Sequence, residues 1–155
     1  MTAGPVRWHE VPYDDPDVVA LLSLMSVEMN LLYGRPAEEA PPGALVGPGE
    51  MALTLLGDRE GAPVAMASLR RVGEDLELKR MYVAADARGE GMGASLLERM
   101  ETEARRRGVR RLVLHTGEQQ TAAVALYRSR GYQPIGSLPG YEDVPGSLFL
   151  ARSLI

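Results

Sequence analysis

The segment from Glu77 to Met100, ELKRMYVAADARGEGMGASLLERM, constrains the fold of this chain more than any other. An apolar strand runs into a short loop, then into Arg88-Gly89-Glu90-Gly91-Met92-Gly93, and from there directly into an amphipathic helix. Glycines let the main chain turn tightly and approach a ligand closely. The first turn of a helix carries N–H groups without intrahelical acceptors, and the positive end of the helix dipole lies there. Strand, glycine loop and helix in this order build an anion site from backbone, suited to a pyrophosphate.

The flanking patterns supply the rest of a fold. Val6 to Val11 reads as a first strand. Asp14, Asp15 and Pro16 open a helix, with an acidic cap and proline in the first turn. Val18, Leu21, Leu22, Met25, Met29 and Leu32 follow at helical spacing, as one helix or two joined near Ser26, and Gly34 is the stop. Gly34 to Glu50, rich in proline, glycine and alanine, reads as a long surface loop. Met51 to Leu56 is a strand, Gly57-Asp58-Arg59-Glu60-Gly61 a turn, and Pro63 to Val72 a second strand. Gly73-Glu74-Asp75 then turns into Leu76 to Val83. Short glycine turns between strands predict antiparallel hairpins. The helix after the glycine loop runs from about Gly91 to Arg107. Arg111 to His115 is a strand, Gln119 to Arg130 a helix, and Gln133 to Ile135 and Ser147 to Leu150 are short strands. The expected fold class is α/β with a mixed sheet: an antiparallel meander, then a β-α-β crossover that makes its two strands parallel neighbours. No repeat or boundary divides residues 1–155, so a single domain is expected.

Composition narrows the chemistry. The formal net charge is −4, which disfavours a nucleic-acid partner. With no cysteine, the chain has no thiol nucleophile, disulfide or sulfur-ligated metal of its own. Its histidines, His9 and His115, lie far apart, so no metal site is expected. No apolar run is expected to span a membrane, and MTAGPVRWHEVPYDD lacks the layout of a signal peptide. A cytoplasmic protein without membrane partners is the expectation.

The glycine loop admits several nucleotide readings. A P-loop needs a lysine–hydroxyl pair after the glycines, and none is present. Gly89, Gly91 and Ala94 satisfy the dinucleotide pattern G-x-G-x-x-[GA] formally. That pattern, however, follows a strand directly and wants an acidic residue at the end of the next strand. Here Ala84 to Arg88 intervene, and the next strand ends in Leu114-His115-Thr116.

The third reading rests on a resemblance. RGEGMG fits the Q/R-x-x-G-x-G/A motif of the GNAT acyltransferase superfamily. ELKRMYV resembles that family's fourth strand, and QTAAVALYRSRGY resembles its fourth helix with the A-x-x-L-Y and following G-[FY] pattern. LHTGEQQTAAVALY is similar to a bacterial branch carrying L-x-T-G after the fifth strand. The resemblance spans Met51 to Leu150. It implies a sheet splayed between the fourth and fifth strands, with acetyl-coenzyme A threaded through the gap. The pyrophosphate would meet the amides of Arg88, Gly89, Glu90, Gly91, Met92, Gly93 and Ala94. The pantetheine arm would pair with the backbone of Met81, Tyr82 and Val83. Gln120 stands where the family often has asparagine, in contact with that arm. A homodimer is a family-level expectation.

Acetyl transfer to an amine needs a neutral amine, a stabilised oxyanion and a proton for the leaving thiolate. A lysine-like amine is neutral in about one molecule in 2,500 at pH 7. Correcting that handicap is worth about 4–5 kcal/mol, so a base is useful. By the resemblance, Glu77 is the candidate base, directly or through water, and Met81 N–H the candidate oxyanion donor. Strand alternation places Glu77, Lys79 and Met81 on one face. Tyr127, in the L-Y pair, is the candidate general acid and lies near the thioester sulfur in the family. Direct attack in a ternary complex on a small-molecule or peptide amine is expected. A non-catalytic acyl-coenzyme A sensor on the same scaffold is the alternative. His115 is a candidate proton-transfer aid. Tyr33, Arg35, Glu38, Glu39, Tyr141, Glu142 and Asp143 are candidate borders of the acceptor pocket. The basic run Arg105, Arg106, Arg107, Arg110 and Arg111, with Arg128 and Arg130, offers either phosphate contacts or compensation of helix C-termini.

Overall fold

Two-residue turns fix the first half of the sheet. The computed structural model describes residues 4–36, 50–141 and 144–155. Its strands are β1 (Arg7–Glu10), β2 (Met51–Arg59), β3 (Ala62–Val72), β4 (Asp75–Val83), β5 (Arg111–Gly117), β6 (Gln133–Pro134) and β7 (Ser147–Ser153). Its helices are α1 (Pro16–Tyr33), α2 (Met92–Arg106) and α3 (Thr121–Ser129). The expected turn from Gly57 to Gly61 shrinks to Glu60-Gly61, because Gly57, Asp58 and Arg59 extend β2. Gly57 is a strand glycine for steric reasons. A Cβ there would meet the Trp8 ring at 2.7 Å.

The strands form one seven-stranded sheet in the order β1-β2-β3-β4-β5-β7-β6. Pairing is antiparallel from β1 to β4. It is parallel between β4 and β5, and antiparallel again through β7 and β6. The β4–α2–β5 crossover is the one the pattern predicts. The parallel seam is short: Leu76, Glu77 and Leu78 pair with Leu112, Val113 and Leu114. Beyond Leu78 the strands part.

A β-bulge governs which side chains face the parting. Met66 pairs with Tyr82 and Ser68 with Lys79, so Arg80 and Met81 together oppose Ala67. Arg80 takes the left-handed conformation with φ 58°. The extra residue inverts the alternation. Glu77 and Lys79 share one face, but Met81 and Val83 pack with Leu76 and Leu78 on the other. Tyr82 turns instead to the α1 side, beside Val18 and Leu21. The expectation that Met81 shares the face of Glu77 and Lys79 therefore fails, and the bulge is the reason.

The helices cover both faces. Leu96, Leu97 and Met100 of α2 and Tyr127 of α3 enter the main core with Leu69, Leu76, Leu112 and Leu114. On the opposite face, α1 covers Leu56, Met66 and Tyr82. The segment Ile135–Tyr141 covers Val113 and Ala151. Asp15 caps α1 by accepting from Asp17 N–H, Pro16 occupies its first turn, and Gly34 ends it in the left-handed conformation. α1 is one uninterrupted helix. Its 18 residues, with mean hydropathy 1.2, do reach the length and composition of a membrane span, contrary to expectation. Val18 and Leu21 are buried against the sheet, while Val19, Leu24, Val27, Leu31 and Leu32 are exposed. The stretch expected as a long surface loop falls largely on 37–49, outside the described residues.

Candidate active site

The parting of β4 from β5 opens a cleft of about 250 Å³. Its walls include Glu77, Lys79 and Met81 from β4, His115 and Gly117 from β5, Gln120 and Tyr127 around α3, and Tyr33 and Tyr141. The expected acceptor-pocket residues Tyr33, Arg35 and Tyr141 are at the cleft. Glu38, Glu39, Glu142 and Asp143 lie outside the described residues.

One wall of the cleft is β4, from Glu77 to Met81. Ala84 N–H donates to Val64 of β3 at 2.8 Å. Successive amides of a strand point to opposite sides, so Tyr82 also points toward β3, while Met81 and Val83 point toward the gap. Of the residues expected to offer backbone contacts, Met81 and Val83 thus turn their amides to the gap and Tyr82 turns its amide to β3. The Val83 carbonyl accepts a hydrogen bond from Arg88 Nε at 2.9 Å.

Beyond β4 a single 3₁₀ turn (Ala85–Ala87) leads into the glycine loop. Gly89 and Gly91 have φ of 83° and 78°, a conformation that favours glycine. Gly91 caps α2 without a side-chain hydrogen bond. The first amide bonded to the Gly91 carbonyl is that of Ser95, at 3.1 Å. The amides of Met92, Gly93 and Ala94 precede it, so they have no partner one turn back. They are the amides at which the sequence leads one to expect an anion site. Gly93 also faces α3, where a Cβ would meet Leu126 at 3.4 Å. The side chains of the loop look elsewhere. Glu90 pairs with Arg59 at 2.9 Å, and Met92 is buried in the core. Arg88 bridges to Glu28 at 2.7 Å and lies over the Tyr82 ring. Tyr82 donates its hydroxyl to the same Glu28. That link ties α1 to the loop. Glu28 is the lone charge of α1 beyond its first turn, a signal the sequence carried unread.

Tyr127 lies at the base of the cleft with 7% exposure. Burial pushes its phenol up to about 12, so it stays protonated across the neutral range. Gln120 sits just ahead of α3 and donates its side-chain amide to the Tyr33 hydroxyl at 3.1 Å. A Cβ on Gly117 would overlap that same hydroxyl, which explains the glycine at the end of β5.

Glu77 is not an open cleft carboxylate. It is 1% exposed, because the chain around Tyr141 closes over that face of the sheet. Its Oε2 accepts the Tyr141 hydroxyl at 2.7 Å, and Arg70 lies 3.6 Å from Oε1. Tyr141 in turn accepts from Lys79 Nζ at 2.5 Å. Burial, opposed by the charge of Glu77, lowers the Lys79 ammonium to about 8. His115 stacks on Tyr141 with ring centroids 4.2 Å apart and meets Ser147 Oγ at 2.8 Å. Burial first, then the charge of Lys79, lowers it to about 4. Sequence reasoning singled out Glu77 and missed its coupling to Lys79. The available signal was an acid and a base two apart on one strand, and so on one face.

Several arginines of the basic run are engaged in ion pairs, at the end of α2 and between β5 and β4. Arg106 and Arg107 pair with Glu103, and Arg111 pairs with Asp75. Arg130 joins Arg152 around the buried Glu101.

Residues 20–132 match the family model described as Acetyltransferase (GNAT) family. This chain belongs to the GNAT acetyltransferase family. An IAA acetyltransferase of Azospirillum brasilense is 45% identical over 78 residues, covering 50% of this chain and 51% of that protein. Curated relatives are matched over 31% to 53% of their own lengths. A Klebsiella pneumoniae structure assigned as an acyl-CoA N-acyltransferase superposes with TM-score 0.81 at 26% identity, covering 97% of this chain and 98% of that one. The PaiA N-acetyltransferase of Thermoplasma acidophilum, solved in complex with coenzyme A, has TM-score 0.68 at 11% identity, covering 96% and 99%. The GNAT fold implied by the motifs is thus the fold of this chain.

Proposed function

We propose that this protein is an acetyl-coenzyme A-dependent N-acetyltransferase whose acceptor is a primary amine on a small molecule. The observation that carries the reading is the cleft itself. It has outward strand amides on one wall, open helix amides beyond that wall and a protonated phenol at its base.

The cosubstrate supplies an activated acyl thioester. The amides from Arg88 to Ala94, above all Met92, Gly93 and Ala94, would hold its pyrophosphate. Met81 and Val83 would pair its arm as an added strand, and Gln120 would steady the arm from α3. The Met81 N–H would meet negative charge developing on the thioester oxygen. Tyr127 would donate its proton to the departing sulfur. Glu77, sealed beneath Tyr141, can act on a proton only through a neighbouring group. With no cysteine in the chain, direct attack of the amine is favoured over a thioester on the protein. The relationship to an IAA acetyltransferase favours a small molecule over a protein as acceptor.

The test is release of free thiol from acetyl-coenzyme A across a panel of amines. Release with one or more amines supports the reading. Binding without release under every amine would leave a coenzyme A-binding module instead.

A further inference from the structure

The proton of the attacking amine needs a destination, and this inference rests on the acetyltransferase reading just given. We propose that Lys79 takes that proton, with the Tyr141 hydroxyl positioning its Nζ and Glu77 supplying the counter-charge beneath. Glu77 is 1% exposed and its Oε2 is held by the Tyr141 hydroxyl, whereas Lys79, at 6% exposure, donates to that hydroxyl from the other side. Lys79 lies on β4 just past the last β4–β5 pair, Leu78 with Leu114, and lines the cleft.

Hydrogen-bond accounting fixes the roles. Tyr141 has one hydroxyl proton and gives it to Glu77 Oε2. It therefore accepts from Lys79, which must donate. A neutral amine that donates one N–H to Tyr141 keeps its lone pair for another proton.

The electrostatics agree. Burial lowers Lys79 to about 8, which brings a useful neutral fraction near physiological pH. Among the described residues, the charged groups acting on it include Glu77 and Arg80 of β4, Arg70 of β3 and Glu50 ahead of β2. Tyr141 bonds it directly, and His115 of β5 feels its charge. His115 is a poorer base here, because its lowered value leaves little affinity for a proton at neutral pH. Its Nε2 is also engaged with Ser147.

The step balances. The amine nitrogen bonds to the acyl carbon and gives one proton to Lys79. The C–S bond breaks, its electron pair leaves on sulfur, and Tyr127 protonates that sulfur. Lys79 then carries one proton more and Tyr127 one fewer, and exchange through solvent restores both.

The experiment is the pH profile of kcat/KM with two amine acceptors of different basicity, on the intact protein. The expected result is a shared ascending limb near pH 8 for both acceptors. Lys79→Arg, which keeps the charge but cannot become neutral, should abolish that limb and lower kcat by about 10²-fold or more. Acetyl-coenzyme A affinity, followed by calorimetry, should hold. Tyr141→Phe should move the limb, which covers the case of a Lys79→Arg protein that fails to fold. A limb that tracks the acceptor's own basicity overturns the proposal, as does a wild-type profile in either variant. Absence of thiol release with every amine would instead end the acetyltransferase reading, and this inference with it.

Discussion

A phenol as buried as Tyr127 holds its proton until something nearby needs it. Burial alone raises it to about 12, and no charged neighbour contributes. Tyr127→Phe removes the proton and leaves the ring. The expected outcome is a fall in kcat of about 10²-fold with acetyl-coenzyme A affinity unchanged, read by steady-state kinetics beside calorimetry. His115 carries a second residue-level consequence. Its ordinary value of 6.5 falls to about 4 in the fold, so between those values the unfolded chain binds a proton that the folded chain refuses. The stability it contributes is complete above pH 6.5 and is lost as pH drops toward 4. The drop in Tm over that window should be shallower in His115→Gln than in the parent protein. An unchanged slope would show that His115 does not govern it. At this scale the sequence was legible where a residue's place follows from a local motif, as with Tyr127 at the cleft. It was not legible for the Glu77–Tyr141–Lys79 chain. Tyr141 lies 64 residues from Glu77, and only the covering of β4 by a distant segment joins them.

At the scale of elements, the glycine loop and α2 were readable from end to end because their signals are local: turn glycines, a helix start and apolar spacing. The bulge at Arg80–Met81 was not. It contains no glycine or proline, and its cause is registry with β3, a long-range pairing. The same limit concealed Glu101. It lies on α2, 1% exposed, and accepts from Tyr132 at 2.9 Å after α3. It also meets Arg152 of β7 at 2.8 Å and Arg130 at 3.4 Å. One carboxylate thus joins α2, the end of α3 and β7. Glu101→Ala would strand a tyrosine and arginines around an emptied site, at a cost of about 3–5 kcal/mol. Urea unfolding should show that loss, while acetyl-coenzyme A affinity of the remaining folded protein stays near normal. A loss below about 1 kcal/mol would mean that water replaces the carboxylate freely. Gly91→Ala tests the other end of the same helix. Its left-handed φ of 78° makes an alanine strained by about 1–2 kcal/mol. That strain should weaken acetyl-coenzyme A binding about tenfold.

The whole molecule is a sheet in two halves. β1 to β4 form one, and β5, β7 and β6 the other, joined by the brief seam from Leu76 to Leu78. The order of elements was legible because meander and crossover follow from turn lengths. The splay rested on the family resemblance, since strand ends of unequal reach leave no mark in composition. Acetyl-coenzyme A at a hundredfold excess over its dissociation constant should stabilise the protein by about 2.7 kcal/mol, read as a rise in Tm. NAD should leave Tm unchanged, and stabilisation by NAD alone would overturn the assignment.

The brief seam has a mechanical consequence. With strand pairing ending at Leu78, the sheet is like a book whose spine is stitched at one end only. A guest seated between the leaves would add the missing stitches. Amide hydrogen exchange at Met81 and Val83 should slow when the guest arrives, and the two leaves should then breathe as one.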